Sequence, residues 1–182
     1  MENKINKDIN YIVKSINKAY YKDMKSFYKN YNLITRNGDA GIKWDFINTN
    51  IEENFEEDKY KIILVRRGGW NQVLVYNIEE KRIYFIMRES RFQTIRKDKK
   101  RKNLHLIQML GSLNEKVEND ASKSLKAILP EYIQKSKDYI LITYEYYESI
   151  GQCKFKYRRI NSKLKVYNEE SWRSNIRLEE AN

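Results

Sequence analysis

The sequence predicts an α+β fold with antiparallel pairing, on three observations. Apolar residues recur at spacings of three and four from Ile5 to Tyr28, the period of one helix face. Between Tyr60 and Arg88 the period changes to two, with reversal signals at Arg66-Arg-Gly-Gly69 and Ile78-Glu-Glu-Lys81. Strand-forming residues return from Tyr139 to Tyr167, after a second helical stretch. The order gives N-terminal helices and an antiparallel sheet of about six strands, in two three-strand meanders separated by helices.

Each element has a local reason. Ile5, Ile9, Ile12, Val13, Ile16, Ala19, Tyr20, Met24, Phe27 and Tyr28 make one apolar stripe on a helix of about six turns. Asn30 to Gly38 breaks it, and Asp39 is placed to cap a second helix whose inner face is Trp44, Ile47, Ile51 and Phe55. That helix ends in Glu52, Glu53, Glu56, Glu57 and Asp58, which read as a solvated acidic face. Tyr60 to Val65 lacks clean alternation, so both faces look covered and the strand is placed centrally. Trp70 to Asn77 and Arg82 to Arg88 alternate, and helical spacing resumes around Phe92 and Ile95. Leu104 to Leu113 suggests another helix, and Ser122 a capped one through Leu129. Pro130 suits a helix break or a first turn. In the second meander Cys153, Phe155 and Tyr157 should point inward, and Lys154, Lys156 and Arg158 outward. A short strand from Leu164 to Tyr167 closes the sheet, and Trp172 and Ile176 suggest a last helical turn. The expected core includes Ile9, Val13, Ile16, Trp44, Ile62, Leu64, Val73, Phe85, Leu141 and Phe155.

At 182 residues the chain is read as one domain. Its parts are a helical region (1–58), the first meander with a basic helix (59–102), a helical connection (103–137), and the second meander with a tail (138–182). One proline and 6 glycines leave little room for long flexible linkers. The single cysteine, Cys153, cannot form a disulfide within the chain and fits a reducing compartment. No apolar leader opens the sequence, and the apolar runs are too short to span a bilayer. The expectation is a cytoplasmic protein with no membrane partner.

Charge is the strongest functional signal. The chain carries +11, concentrated in two segments. Arg82 to Lys102 holds nine Lys/Arg against two acids, a net +7, and Lys154 to Tyr167 holds six Lys/Arg and no acid, a net +6. Clustering of this kind points to an acidic partner, either nucleic acid or an acidic protein surface. The candidate binding residues are Arg66, Arg67, Arg88, Arg91, Arg96, Lys97, Lys99, Lys100, Arg101, Lys102, Lys154, Lys156 and Arg158. Arginine and lysine contact phosphate oxygens, and interleaved aromatic rings such as Phe92 and Tyr157 can stack on unpaired bases. Arg66 and Arg67 flank two glycines, where backbone can approach a ligand closely.

Catalytic signals are sparse. One cysteine and one histidine cannot make a zinc site. A Cys153–His105 nucleophile pair is disfavoured because Cys153 alternates with packing residues. Neither common glycine-rich nucleotide loop is present. Glu79-Glu80-Lys81 matches the acid-x-lysine triplet of metal-dependent nucleases, with Asp58 upstream, but it falls in an expected hairpin turn. Arg101 and His105 are one residue too close for the Arg/His helix of metal-independent ribonucleases. No catalytic residue, metal ligand or cofactor is assigned.

Arg67-Gly-Gly-Trp70, Val75-Tyr76, Ile83-Tyr84 and Met87-Arg-Glu-Ser-Arg-Phe92 resemble uncharacterised proteins of Firmicutes and their phages. The similarity runs from about Gly68 to Asn114 and carries no activity with it. It implies a mobile-element or host-defence setting. The expected function is a non-enzymatic basic binding protein that engages nucleic acid or a nucleic-acid-bearing complex. The alternatives are an inhibitor that binds an acidic enzyme surface and, further off, a metal-dependent nuclease.

Overall fold

The computed structural model describes residues 4–67, 70–98, 104–115 and 118–175. The chain divides into two compact units, Met1–Glu56 with Tyr147–Cys153 and Ser174–Asn182, and Glu57–Tyr146 with Lys154–Arg173.

In the first unit, the long apolar stripe becomes α1 (Lys4–Lys18), a wide π turn (Ala19–Asp23) and α2 (Met24–Asn30). Ile12, Ile16 and Ala19 are fully buried, as are Ile47 and Ile51 of α3 (Asp39–Asn54), which packs on α1. A polar tie runs through this contact. Ser15 Oγ donates to the Asn50 carbonyl at 3.1 Å, and Asn50 Nδ2 donates to Ser15 O at 3.2 Å and Asp23 Oδ2 at 2.7 Å. A buried amide linked in this way fixes the register of the two helices. Gly38, with no side chain to bond, holds the N-cap position, so Asp39 sits in the first turn and does not cap it. Trp44 is half-buried, not part of the core.

The sheet has six strands in the order of the chain: β1 (Tyr60–Arg67), β2 (Trp70–Asn77), β3 (Arg82–Arg88), β4 (Asp138–Tyr147), β5 (Gln152–Ile160) and β6 (Val166–Asn175). The two three-strand meanders are as expected, but they join by a parallel pair, with Arg82 opposite Asp138 and Arg88 opposite Tyr144. The reason is the connection. A parallel neighbour needs a crossover of a dozen or more residues, and the helical stretch between β3 and β4 supplies one. It comprises α4 (Glu89–Lys97), α5 (Leu106–Gly111), a 3₁₀ turn (Ser112–Asn114), α6 (Asp120–Ile128) and α7 (Glu131–Gln134). Asn119 caps α6 and Ser122 answers from the third position, so Ser122 is the second half of a capping box. Pro130 is the N-cap of α7.

These helices cover one face of the sheet. Leu74, Tyr76, Ile83, Phe85, Tyr139, Leu141 and Ile160 pack there with Phe92, Ile95, Leu110, Leu125 and Ile133. β1 lies at an edge, not in the centre. Leu64 is 65% exposed and Ile62 only half-buried, against the expected core, whereas Val65 is buried. The apolar run reflects an edge strand with one side chain left in solvent, not burial on both faces. The polar tail also differs from expectation. It continues as β6 to Asn175, where Trp172 stacks on Phe155 at 5.8 Å; Ile176 lies outside the described residues.

Candidate nucleic-acid interface

β1 and β3 both run antiparallel to β2, and β4 runs parallel to β3. All three therefore end on the same side of the sheet, and β5 starts there. This places Arg66 near the end of β1, Arg88 at the end of β3 and Lys154 near the start of β5 at one sheet end. α4 leaves from the same end, carrying Arg91, Arg96 and Lys97. Arg66, Arg88, Arg91, Arg96 and Lys97 are exposed; Lys154 is half-buried. Arg96 and Lys97 occupy the last turn of α4, where the backbone dipole favours cations. Among the described residues, Arg66, Arg91, Arg96, Lys97 and Lys154 have no carboxylate partner. Lys99, Lys100, Arg101 and Lys102 lie outside the described residues, as does the side chain of Arg67.

Arg158 is placed differently from expectation. It is 1% exposed, on the helix-covered face of the sheet. Two guanidinium nitrogens bond the two oxygens of Glu89, NH1 to Oε2 at 2.7 Å and NH2 to Oε1 at 2.9 Å. Its Nε donates to Glu169 at 2.5 Å, NH1 also reaches Thr143 Oγ1, and the Phe92 ring lies 4.8 Å away. Thr143 Oγ1 donates to Glu89 Oε2, and Gln93 Nε2 donates to Glu89 Oε1 at 2.7 Å. Lys156 stands at the rim, 3.7 Å from Glu89 and 3.6 Å from Glu169. Arg158 is thus a buried fork that pins the first turn of α4 to the sheet, and Lys156 is partly neutralised. Neither belongs to the freely exposed cations.

The electrostatics follow from this packing. Burial alone would raise the Glu89 carboxyl, but hydrogen bonds from Arg158, Thr143 and Gln93 outweigh it and hold the group at about 2. One of the two acids in the basic segment is therefore consumed internally, and the outer surface of α4 is left more cationic than its sequence.

β5 buries side chains of both registers. Cys153, Phe155 and Tyr157 are buried as expected, but Arg158 and Ile160 are buried on the opposite face. Burial on both faces of β5 breaks the inward–outward alternation that the sequence suggests. One sequence signal pointed to the pairing: a lone Glu89 directly after a strand end, inside a segment otherwise dense in arginine and lysine.

At the other end of the sheet, Glu79-Glu80-Lys81 occupies the β2–β3 turn, as expected, with Glu80 N donating to Asn77 Oδ1 at 2.9 Å. Among the described residues no group of three or more His, Cys, Asp or Glu side chains is placed to hold a metal ion.

The model of a family of unknown function, DUF5986, matches residues 2–182. The chain belongs to that family. No curated protein and no solved structure matches it. No helix among the described residues is long and apolar enough to cross a membrane.

Proposed function

We propose that this protein is a non-enzymatic binder of nucleic acid, engaging the phosphate backbone with the exposed cations of α4 and of the sheet end from which α4 leaves. The observation that carries this reading is a set of cations without carboxylate partners among the described residues: Arg91, Arg96 and Lys97 along α4, and Arg66 and Lys154 at the sheet end from which α4 leaves. In open sheets with a parallel pair, ligands commonly bind beyond the carboxyl ends of the strands. Cations spread along a helix and a sheet end suit a polyanion better than a single anion. Lys99 to Lys102 continue the same basic tract in sequence. A mobile-element or host-defence role fits such a protein and is part of the proposal.

An inhibitor that docks on an acidic protein surface is the second reading. Leu64 favours it, as an exposed apolar side chain on edge strand β1, two residues from Arg66. Salt dependence separates the two. Nucleic-acid affinity should fall linearly in log–log form with salt, by about 0.9 per phosphate contact on duplex DNA. Arg91→Glu with Arg96→Glu and Lys97→Glu should then weaken binding severely and flatten the slope by about 3. A protein partner predicts slower association at nearly unchanged dissociation, with affinity resting on Leu64. Fluorescence anisotropy with single-stranded and duplex DNA and RNA at two salt levels decides it. No binding to any of them at low salt refutes the nucleic-acid reading.

A further inference from the structure

A second polar cluster lies at the opposite end of the sheet, where β3 and β4 begin. Asp138 holds two arginines. Arg82 Nε donates to its Oδ2 at 3.1 Å, and Arg159 donates through Nε to Oδ1 at 3.1 Å and through NH2 to Oδ2 at 2.5 Å. These residues line an open depression of about 620 Å³, within the range of small-molecule sites. Lys137 stands exposed at its rim, and its ammonium has no partner among the described residues. Tyr167, on the adjoining wall, is 52% exposed. Glu79 and Glu80 form the remaining rim.

We propose that this depression binds a nucleoside phosphate, through Lys137, Arg82 and Arg159 on the phosphate and Tyr167 on the base. The lining supports this class of ligand. Asp138 fixes both guanidiniums in place, so little side-chain freedom is lost on binding; Arg159 keeps donors that Asp138 does not use, while Arg82 also bonds Tyr84 and stands 4.0 Å from Glu80. Glu79 and Glu80 balance the cations at the rim, which disfavours a bare anion and suits a ligand that also brings hydroxyl or amino donors. A half-exposed tyrosine ring offers a stacking face that tolerates any base. The site is separate from the cations of α4 and stands whether or not those bind nucleic acid.

The ligand chemistry is shared by a free mononucleotide and by the terminal nucleotide of a strand. Saturation-transfer NMR and calorimetry on the full chain should use AMP, GMP, CMP and UMP, their parent nucleosides, inorganic phosphate, and short oligonucleotides with and without a 5′-phosphate. Saturable binding of a nucleoside monophosphate is expected, with nucleosides at least about tenfold weaker. Binding confined to 5′-phosphorylated oligonucleotides supports the proposal with a strand end as the source. Lys137→Glu and Tyr167→Ala, both at exposed side chains, should each weaken binding by about tenfold. The Arg91/Arg96/Lys97 reversal should leave mononucleotide binding unchanged, so the two proposals fail separately. No saturable binding of any phosphorylated probe overturns the site, as does binding that neither Lys137→Glu nor Tyr167→Ala alters.

Discussion

Arg158→Met should be among the most damaging single changes outside the apolar core. The substitution keeps a side chain of similar length but removes the cation, leaving Glu89, 13% exposed, without its main partner. Breaking a buried ion pair on one side typically costs about 3–5 kcal/mol. The Glu89 carboxyl gives a second route to the figure. Its lowering from 4.5 to about 2 corresponds to at most about 3 kcal/mol, less some screening at the solvent rim beside Lys156. For a chain of this size each kcal/mol shifts the melting temperature by about 2–4 °C, so a drop on the order of 10 °C is expected. Replacing both partners, Glu89→Met with Arg158→Met, should recover much of the loss, because no buried charge is then stranded. A depressed carboxylate contributes stability above its ordinary pKa and loses it as pH falls through the folded value. Urea unfolding of the native chain should therefore weaken between about pH 4.5 and 2, and Arg158→Met should be flatter across that window. An Arg158→Met variant within about half a kcal/mol of the parent, with an unchanged acid limb, refutes the pinning role.

Three further outcomes are expected. Leu64→Ala should cost under about 0.5 kcal/mol by chemical denaturation, since the side chain is 65% exposed, whereas Phe85→Ala should cost about 3–5 kcal/mol. Gly111→Ala should destabilise by at least about 1–3 kcal/mol, because an added Cβ would lie 2.5 Å from the backbone carbonyl of Asn161 and 2.9 Å from Ser162 N; a neutral melt would mean this contact yields easily. Changing Glu79, Glu80 and Lys81 together to Ala should leave binding of nucleic acid without a 5′-phosphate intact in a mobility-shift assay, and Mg²⁺-dependent cleavage abolished by that variant would install the nuclease reading instead.

What the sequence made legible follows from periodicity. The helix stripe from Ile9 to Met24, both meanders and the inward Cys153, Phe155 and Tyr157 all rest on repeats of 3.6 or 2, and all are present. What stayed hidden depends on long-range partners. The parallel β3–β4 pair is set by where the crossover returns, which no local pattern encodes. Leu64 and Val65 look alike in sequence and differ only because β1 is an edge. Arg158 looks like Lys154 and Lys156 in the alternation, yet Glu89, 69 residues away, draws it inside. Tyr167 and Arg159 enter a common depression with Lys137 and Arg82 only because four strands start or stop at one edge.

The parallel junction also sorts the charge. In a purely antiparallel six-strand meander, β4 would run opposite to β3, and the start of β5 would lie at the far end from Arg88. The crossover reverses that. It brings β3 and β4 out on the same side and sets Lys154 near Arg88 and α4, while Arg82, Asp138 and Arg159 are collected at the opposite end. The helix that begins the crossover then presents Arg91, Arg96 and Lys97 outward, with its one first-turn acid, Glu89, held inward by Arg158. A like-charged surface of this density repels itself, and a helix bearing it needs an anchor that does not dilute the charge outside. Arg158 supplies that anchor from beneath. Arg158→Met should accordingly reduce nucleic-acid affinity without removing any exposed cation, by loosening α4. At a temperature where the variant remains folded, weaker binding with an unchanged salt slope would mark Arg158 as a positioning residue. A reduced slope would instead mean that Arg158 itself meets phosphate, and unchanged affinity would mean that α4 holds its place without the anchor.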